Sequence, residues 1–293
     1  MVSSTQQALA QGNQFGNVTR PARALLGWMA QNEAELAQAQ RQTNAVTVEH
    51  TQRATHAREC VAARVAGIDQ SNLLTDIPNE LSAHVQQLQA HSSFAPFLAE
   101  QWSFKIADLS KVCALQPIVF WDHATERAQA AVAEHALTLA AITLPIPQNT
   151  ELPLQFDQTR NTWIVASRNP NLKLVGHFAA PMGGHFGCGF LVAVQPSFVQ
   201  VASYRNRHVL RDGYHRALGL LAKGVKKVPV LFREFGQFDP LGIGPGMLPD
   251  AAWLGERPPV LSDYLKDDVA AEVQLPASQK MVVVQGLEMS PLG

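Results

Sequence analysis

Charge is scarce in this chain of 293 residues: Asp, Glu, Lys and Arg together supply 16%, against about 25% in an average soluble protein. Twenty-five glutamines fill part of that gap. Neither sign dominates, since 23 basic residues face 24 acidic ones for a net charge of -1. That balance argues against a protein that holds nucleic acid chiefly by neutralising phosphates. Long hydrophobic runs are missing too, and none approaches the roughly 18–20 residues of a membrane span. Met1 to Gly16 is polar, so no secretory signal is expected there. Only three cysteines occur, Cys60, Cys113 and Cys188. Odd in number and widely spaced, they suit reduced thiols in a cytoplasmic protein better than a disulfide framework. What remains is a 46% hydrophobic composition, which excludes wholesale disorder and supplies a substantial core.

The first hundred residues read as helical. Arg20 to Ala66 is rich in Ala, Gln, Glu and Arg with one proline, Pro21. Within Ala22–Gln38, Leu25, Leu26, Trp28, Met29 and Leu36 recur at helical spacing. No heptad is sustained, so a coiled coil is not expected. The reading is an antiparallel helical pair followed by a third helix from Ile77 to Ala90. Around Trp102 the texture changes. Phe104–Leu109 alternates like a strand, an Ala-rich helix is expected from about Thr125 to Ala140, and Pro145, Pro147 and Pro153 follow it.

From Leu154 the period drops to two. Leu154–Phe156 and Thr162–Ser167 flank a turn and signal a hairpin. Leu172–Phe178 and Phe190–Val194 read as strands, with glycine-rich Gly183 to Gly189 as a loop before the second. Phe198–Tyr204 and His208–Arg211 are expected to pair across Arg205-Asn206-Arg207. Next come a helix from Tyr214 to Lys223, Gly224 at its C-cap, and the short strand Val228–Phe232. Gly236–Pro249 carries four glycines and three prolines and reads as an irregular loop. A short helix near Ser262–Asp268 and a closing strand Met281–Gln285 complete the reading. The fold class is α+β: an N-terminal helical region, 1–100, then a mixed β core, 101–293.

One stretch carries chemistry. At Asp212-Gly213-Tyr214-His215-Arg216 a strand passes into a helix through a glycine. The first helical N–H groups have no intrahelical partner and sit at the positive end of the helix dipole, which suits an anion. Gly213 permits close backbone approach, and His215 and Arg216 add donors, arginine's planar fork matching phosphate oxygens. The bland alternative is an Asp cap followed by solvated polar residues.

The run Val209 to Leu218, with Gly224 and Val228-Pro229-Val230, resembles the ParB/sulfiredoxin superfamily, over about 25 residues. Members place a "DGxHR"-like or "GCHR"-like turn between a strand and a helix, then a glycine and a "VPV" strand. The resemblance implies a strand–turn–helix–strand module whose turn binds nucleotide phosphates through Gly213, Tyr214, His215 and Arg216, with Arg211 beside them. It implies ATP or CTP with Mg2+ as ligand, and phosphoryl transfer or nucleotide hydrolysis as the reaction class, with Asp212 and His215 as the catalytic pair. Asp212 would orient His215 or help hold the cation. Sulfiredoxins carry a reactive cysteine where Tyr214 stands, so sulfinic acid reduction is not implied, and the downstream "ENxxR" element of the ParB clamps is missing.

Two other readings compete. Low charge, abundant glutamine and a helical arm suit a non-catalytic subunit or scaffold, binding a protein partner through the N-terminal helices. A DNA-associated, nuclease-like protein is the other, with neither a basic excess nor a DNA-reading helix in its favour. Weaker site candidates are a zinc set of His177, His185 and Cys188, whose spacing lacks the usual paired ligands, so no metal site is expected. A positive wall of Arg205, Arg207 and Arg211 is another. Asp122-His123 is read as incidental, because adjacent residues seldom face each other.

Overall fold

Residues 19–39, 45–133, 135–147, 152–167, 171–194, 197–277 and 280–285 are described by a computed structural model of the chain. Its architecture is α+β, and it divides into two units. One comprises residues up to 146 together with 198–277; the other comprises the described residues of 147–197 and 278–293. The boundary therefore does not fall at residue 100. The physical reason is strand pairing: segments from the first hundred residues are hydrogen-bonded into sheets completed by the last hundred.

The first of these segments corrects the helical reading of the N-terminus. Thr19–Ala24 is strand β1, paired antiparallel with Ala271–Pro276 and with Ile118–Phe120. Ala22 and Ala24 alternate into the core, the period of a half-buried strand. Pro21 is tolerated because pairing on the Ile118–Phe120 side begins only at Ala22, so its missing N–H costs nothing there.

The helical pair follows. Helices α1 (Gln31–Ala39) and α2 (Val48–Ala62) run antiparallel, as Gln38 reaches the His50 carbonyl while Gln31 meets Arg58. Small buried residues, Ala34, Ala37, Ala54 and Ala57, line this region. Thr47 opens α2 with a capping box, its hydroxyl accepting from the His50 N–H while the His50 ring accepts from the Thr47 N–H. A short strand β2 (Leu74–Asp76) precedes α3 (Ser82–Ala90) and the brief α4 (Ala95–Ala99).

Strand β3 spans Ser103–Asp108, and β4 is Ile118–Phe120. The helix expected over 125–140 is two helices instead, α5 (Trp121–Arg127) and α6 (Ala136–Thr143). In the same unit lie β9 (Gln200–Tyr204), β10 (Arg207–Asp212), α7 (Tyr214–Ala222), β11 (Lys227–Glu234), α8 (Asp250–Trp253) and β12 (Ala271–Pro276). Its larger sheet has the order β10-β9-β11-β3-β2, antiparallel throughout except for parallel β9 and β11. Its smaller sheet is β12-β1-β4. Helix α7 packs against α5, and Phe94, Phe97, Phe104, Phe198 and Trp102 form a connected aromatic cluster.

The other unit is all β among its described residues. Strands β5 (Leu154–Asp157), β6 (Thr162–Ser167) and β13 (Lys280–Gln285) make one sheet in the order β13-β6-β5. Strands β7 (Leu172–Met182) and β8 (His185–Val194) make a second, two-stranded one. Here the glycine-rich loop reading is corrected. Only Gly183 and Gly184, both at positive φ, form the turn, and Gly187 and Gly189 lie in the strand.

Candidate functional site

Helix α7 begins where β10 ends, and the local chemistry explains why. Gly213 sits at φ +89, the left-handed region that favours glycine, and a Cβ there would lie 2.8 Å from the Val199 Cα. The turn is thus fixed by conformation and by close packing together. The Asp212 carboxylate accepts the Gly213 N–H at 2.7 Å, closing the turn. His215 and Arg216 follow in the first turn of the helix, both partly buried.

Their surroundings come from elsewhere in the chain. Gly219, one turn further along α7, faces α5 so closely that a Cβ would stand 2.0 Å from the Ala124 carbonyl oxygen. That approach brings the α5 side chains to the start of α7. The His123 and His215 rings lie 5.3 Å apart, and His215 stacks on Phe120 at 6.5 Å. From β1, Arg20 donates through Nε to Asp122 Oδ2 at 2.6 Å and through Nη1 to His123 Nε2 at 2.7 Å. A guanidinium can only donate, so His123 Nε2 is an acceptor and its proton sits on Nδ1, the nitrogen that faces Glu126 Oε2 at 3.5 Å. Adjacent Asp122 and His123 therefore grip one arginine between them. Nothing in their spacing signalled it, because the link is a strand a hundred residues away.

The charges of Arg20 and Arg127 act on His215, and that of Arg127 acts on Arg216. Burial lowers Arg216 to about 10, Arg127 adds to the depression, and Asp212 opposes it. Burial likewise lowers His215 to about 4, helped by His123, Arg127 and Arg20 and opposed by Asp122. At neutral pH the His215 imidazole is uncharged, and its Nε2 is enclosed with no hydrogen-bond partner. Burial tends to raise the Asp122 carboxyl, but the Arg20 hydrogen bond and the His123 N–H hold it below its ordinary range. The corner sets Arg20, Arg127 and Arg216 with the carboxylates of Asp122 and Asp212 around a desolvated imidazole at a helix N-terminus.

Two of the expected ligand-facing side chains point elsewhere. The Tyr214 hydroxyl donates to the Leu210 carbonyl at 2.6 Å and accepts from the Leu115 and Gln116 N–H groups at 2.7 and 3.2 Å. One donor and two lone pairs are all a phenol has, so Tyr214 offers a ligand only its backbone. Arg211 donates to the Leu241 carbonyl and to Gln200, and lies over the Trp102 ring at 5.4 Å. It braces β10 against the loop after β11.

The remaining candidates are not brought together. Arg205 occupies the β9–β10 turn at φ 49 and packs on Tyr204, while Arg207 donates to the Gly255 carbonyl. His185 lies on the opposite face of the β7–β8 hairpin from His177 and Cys188, as the strand register requires. No group of three metal-ligating side chains occurs among the described residues. Cys113 is fully buried, its thiol pushed up to about 12 by desolvation. No helix among the described residues is long and apolar enough to cross a membrane. No family model, curated protein or solved structure matches the chain.

Proposed function

We propose that the start of α7 is a phosphate seat and that the protein binds a nucleotide or another phosphorylated small molecule there. The observation that carries this reading is the half-buried Arg216 in the first turn of α7, with Arg127 near enough to act on it and with Arg216 and His215 both held below their ordinary pKa values chiefly by burial. A phosphate there would meet a desolvated guanidinium at the positive end of the helix dipole, where a charge-assisted hydrogen bond is strong. The order β9–β10–α7–β11, with the glycine turn between β10 and α7, supports a ParB/sulfiredoxin-like module. In this reading the first N–H groups of α7 and the Arg216 guanidinium take a terminal phosphate. Arg127 lies at the exposed rim, and Arg20 is held in place by Asp122 and His123.

ATP or CTP with Mg2+ is the proposed ligand, the cation arriving with the nucleotide. Asp212 is tied to the Gly213 N–H, so its first role is to shape the turn. Were the bound phosphate transferred, positioning and charge neutralisation would be the protein's contribution, as that reaction class requires. Isothermal titration of the full chain with ATP, CTP and GTP in magnesium tests the reading. Heat is expected with at least one of them, with affinity at least tenfold weaker in Arg216→Ala, the loss of one charge-assisted contact. No heat from any of the three, in folded protein, overturns it.

A further inference from the structure

The contact between Arg20 Nη1 and His123 Nε2, at 2.7 Å, exists in one protonation state only. A guanidinium has no lone pair to offer, so the imidazole must accept, and it accepts only while neutral. An imidazolium donates from both nitrogens, and two donors cannot share that distance. His123 Nδ1–H already faces Glu126 at 3.5 Å, so a proton can enter only at Nε2, the atom that Arg20 occupies. Arg20 has a second hold, its Nε on Asp122 Oδ2 at 2.6 Å. The charges that act on this corner balance. Helix α5 brings Asp122, Glu126 and Arg127, β1 brings Arg20, and α7 brings Arg216 with Asp212 just ahead of it. Strand β4, Ile118–Phe120, has no titratable side chain. Three arginines thus oppose three carboxylates, and with neutral imidazoles the corner has no net charge. The His215 ring lies 5.3 Å from that of His123, but burial and the neighbouring cations hold its midpoint down at about 4.

We infer, on the basis of the phosphate seat proposed above, that His123 is its proton switch: one proton breaks the Arg20–His123 contact and turns both side chains into donors for an anion. Parted from each other, the imidazolium Nε2–H and the guanidinium Nη1–H are two donors directed at one point. An oxygen of a phosphate or sulfate placed between them replaces a repulsive pair with two charge-assisted hydrogen bonds. The same proton takes the corner from neutral to net positive, so charge and hydrogen bonding act in one direction. Anion affinity rises as pH falls, and binding draws a proton from solvent. Both side chains keep some exposure, 18% for Arg20 and 14% for His123, so protons and small anions reach them. The proton belongs to His123 rather than His215, because the more deeply buried ring stays neutral until the solution is far more acidic.

Two measurements on the full chain test this, and they fail separately. Nitrogen-15 NMR of the unliganded wild type at about pH 8, above the range in which imidazoles ordinarily titrate, is expected to show His123 as the Nδ1–H tautomer. The Arg20 guanidinium protons should then shift as the ring takes up its proton on acidification. A His123 ring in the Nε2–H tautomer overturns the switch whatever the α7 site binds. The second measurement is calorimetric titration with inorganic sulfate, whose own charge is fixed between about pH 5 and pH 8, in buffers of different ionisation enthalpy. Affinity is expected to rise by roughly three- to tenfold for each pH unit of acidification, tenfold being the limit for one linked proton. His123→Gln, whose amide oxygen still accepts from Arg20 but takes no proton, should lose that slope. Should the variant not fold, the wild-type tautomer and slope decide. Sulfate binding without proton uptake, or equal slopes in wild type and variant, overturns the switch and leaves the phosphate seat standing. No sulfate binding anywhere in the range overturns the seat and the switch together.

Discussion

Replacing Gly219 by alanine isolates the contact that builds the site. On an exposed helix the change is favourable, by about 0.5–1 kcal/mol, because alanine loses less backbone entropy than glycine. Here the added methyl would stand 2.0 Å from the Ala124 carbonyl oxygen and 2.8 Å from the Ala128 Cβ, whereas real Cβ contacts stay beyond 3.0 Å. The obstacle is backbone, so no rotamer relieves it, and α5 and α7 must part by about 1 Å. Overpacking of that kind costs about 1–3 kcal/mol, leaving a net destabilisation of about 1–2 kcal/mol. In a unit of this size that lowers the thermal midpoint by about 2–8 °C. The functional consequence is larger than the structural one. Asp122, His123 and Arg127 ride on α5 while His215 and Arg216 ride on α7, so separating the helices disperses the arginines. Gly219→Ala is therefore expected to lose phosphate affinity at least tenfold in protein that is still folded at 20 °C. Differential scanning fluorimetry and calorimetric titration with pyrophosphate measure both effects. A variant as stable as wild type, with affinity unchanged, would refute the close-approach argument.

Other outcomes follow from the same geometry. Tyr214→Phe strands the buried Leu115 N–H and is expected to cost about 1–3 kcal/mol of stability in denaturant unfolding while leaving phosphate affinity unchanged. Arg211→Ala should likewise destabilise without affecting binding, whereas Arg216→Ala should do the reverse; a calorimetric comparison of the pair separates brace from ligand contact. The His215 imidazole titrates near 4 in the folded chain and near 6.5 when unfolded. The unfolded state thus binds more protons between those values, and stability falls as pH drops from 6.5 through 4, by about 3 kcal/mol from this group. Half-buried His208, also depressed by desolvation, acts in the same sense. The difference between wild type and His215→Phe across that pH range isolates the His215 part, and parallel curves would contradict its assignment.

Much of the β10–α7–β11 module was legible because its signals are local. Strand alternation, Gly213, a helical face of Ala217, Leu218 and Leu221, and Gly224 at φ +80 lie within 25 residues and agree. The hairpin of β5 and β6 was legible for the same reason. Thr19–Ala24 was not: its composition suits a helix, and only pairing with β12, some 250 residues away, makes it a strand. The glycines of β8 hid a strand by looking like a loop, and only the cross-strand cover from Phe178 and Met182 explains them. At the site, the turn and its arginine could be read from the sequence, but Arg20, Asp122, His123 and Arg127 could not. Their grouping depends on a helix–helix contact through Gly219 and on a strand from the N-terminus, neither of which leaves a spacing pattern. Tyr214 and Arg211 stood beside the turn in sequence, yet strand alternation and a buried hydroxyl direct them into the fold.

The electrostatic claim can be read at a single atom. Proton NMR of the His215 ring, titrated in the full chain with and without saturating pyrophosphate, reports whether an anion enters the cluster. The account predicts a midpoint near 4 without ligand, rising by at least one pH unit when pyrophosphate is bound, as its charge offsets Arg20 and Arg127. A midpoint already near 6.5, or one that pyrophosphate leaves in place, would contradict it.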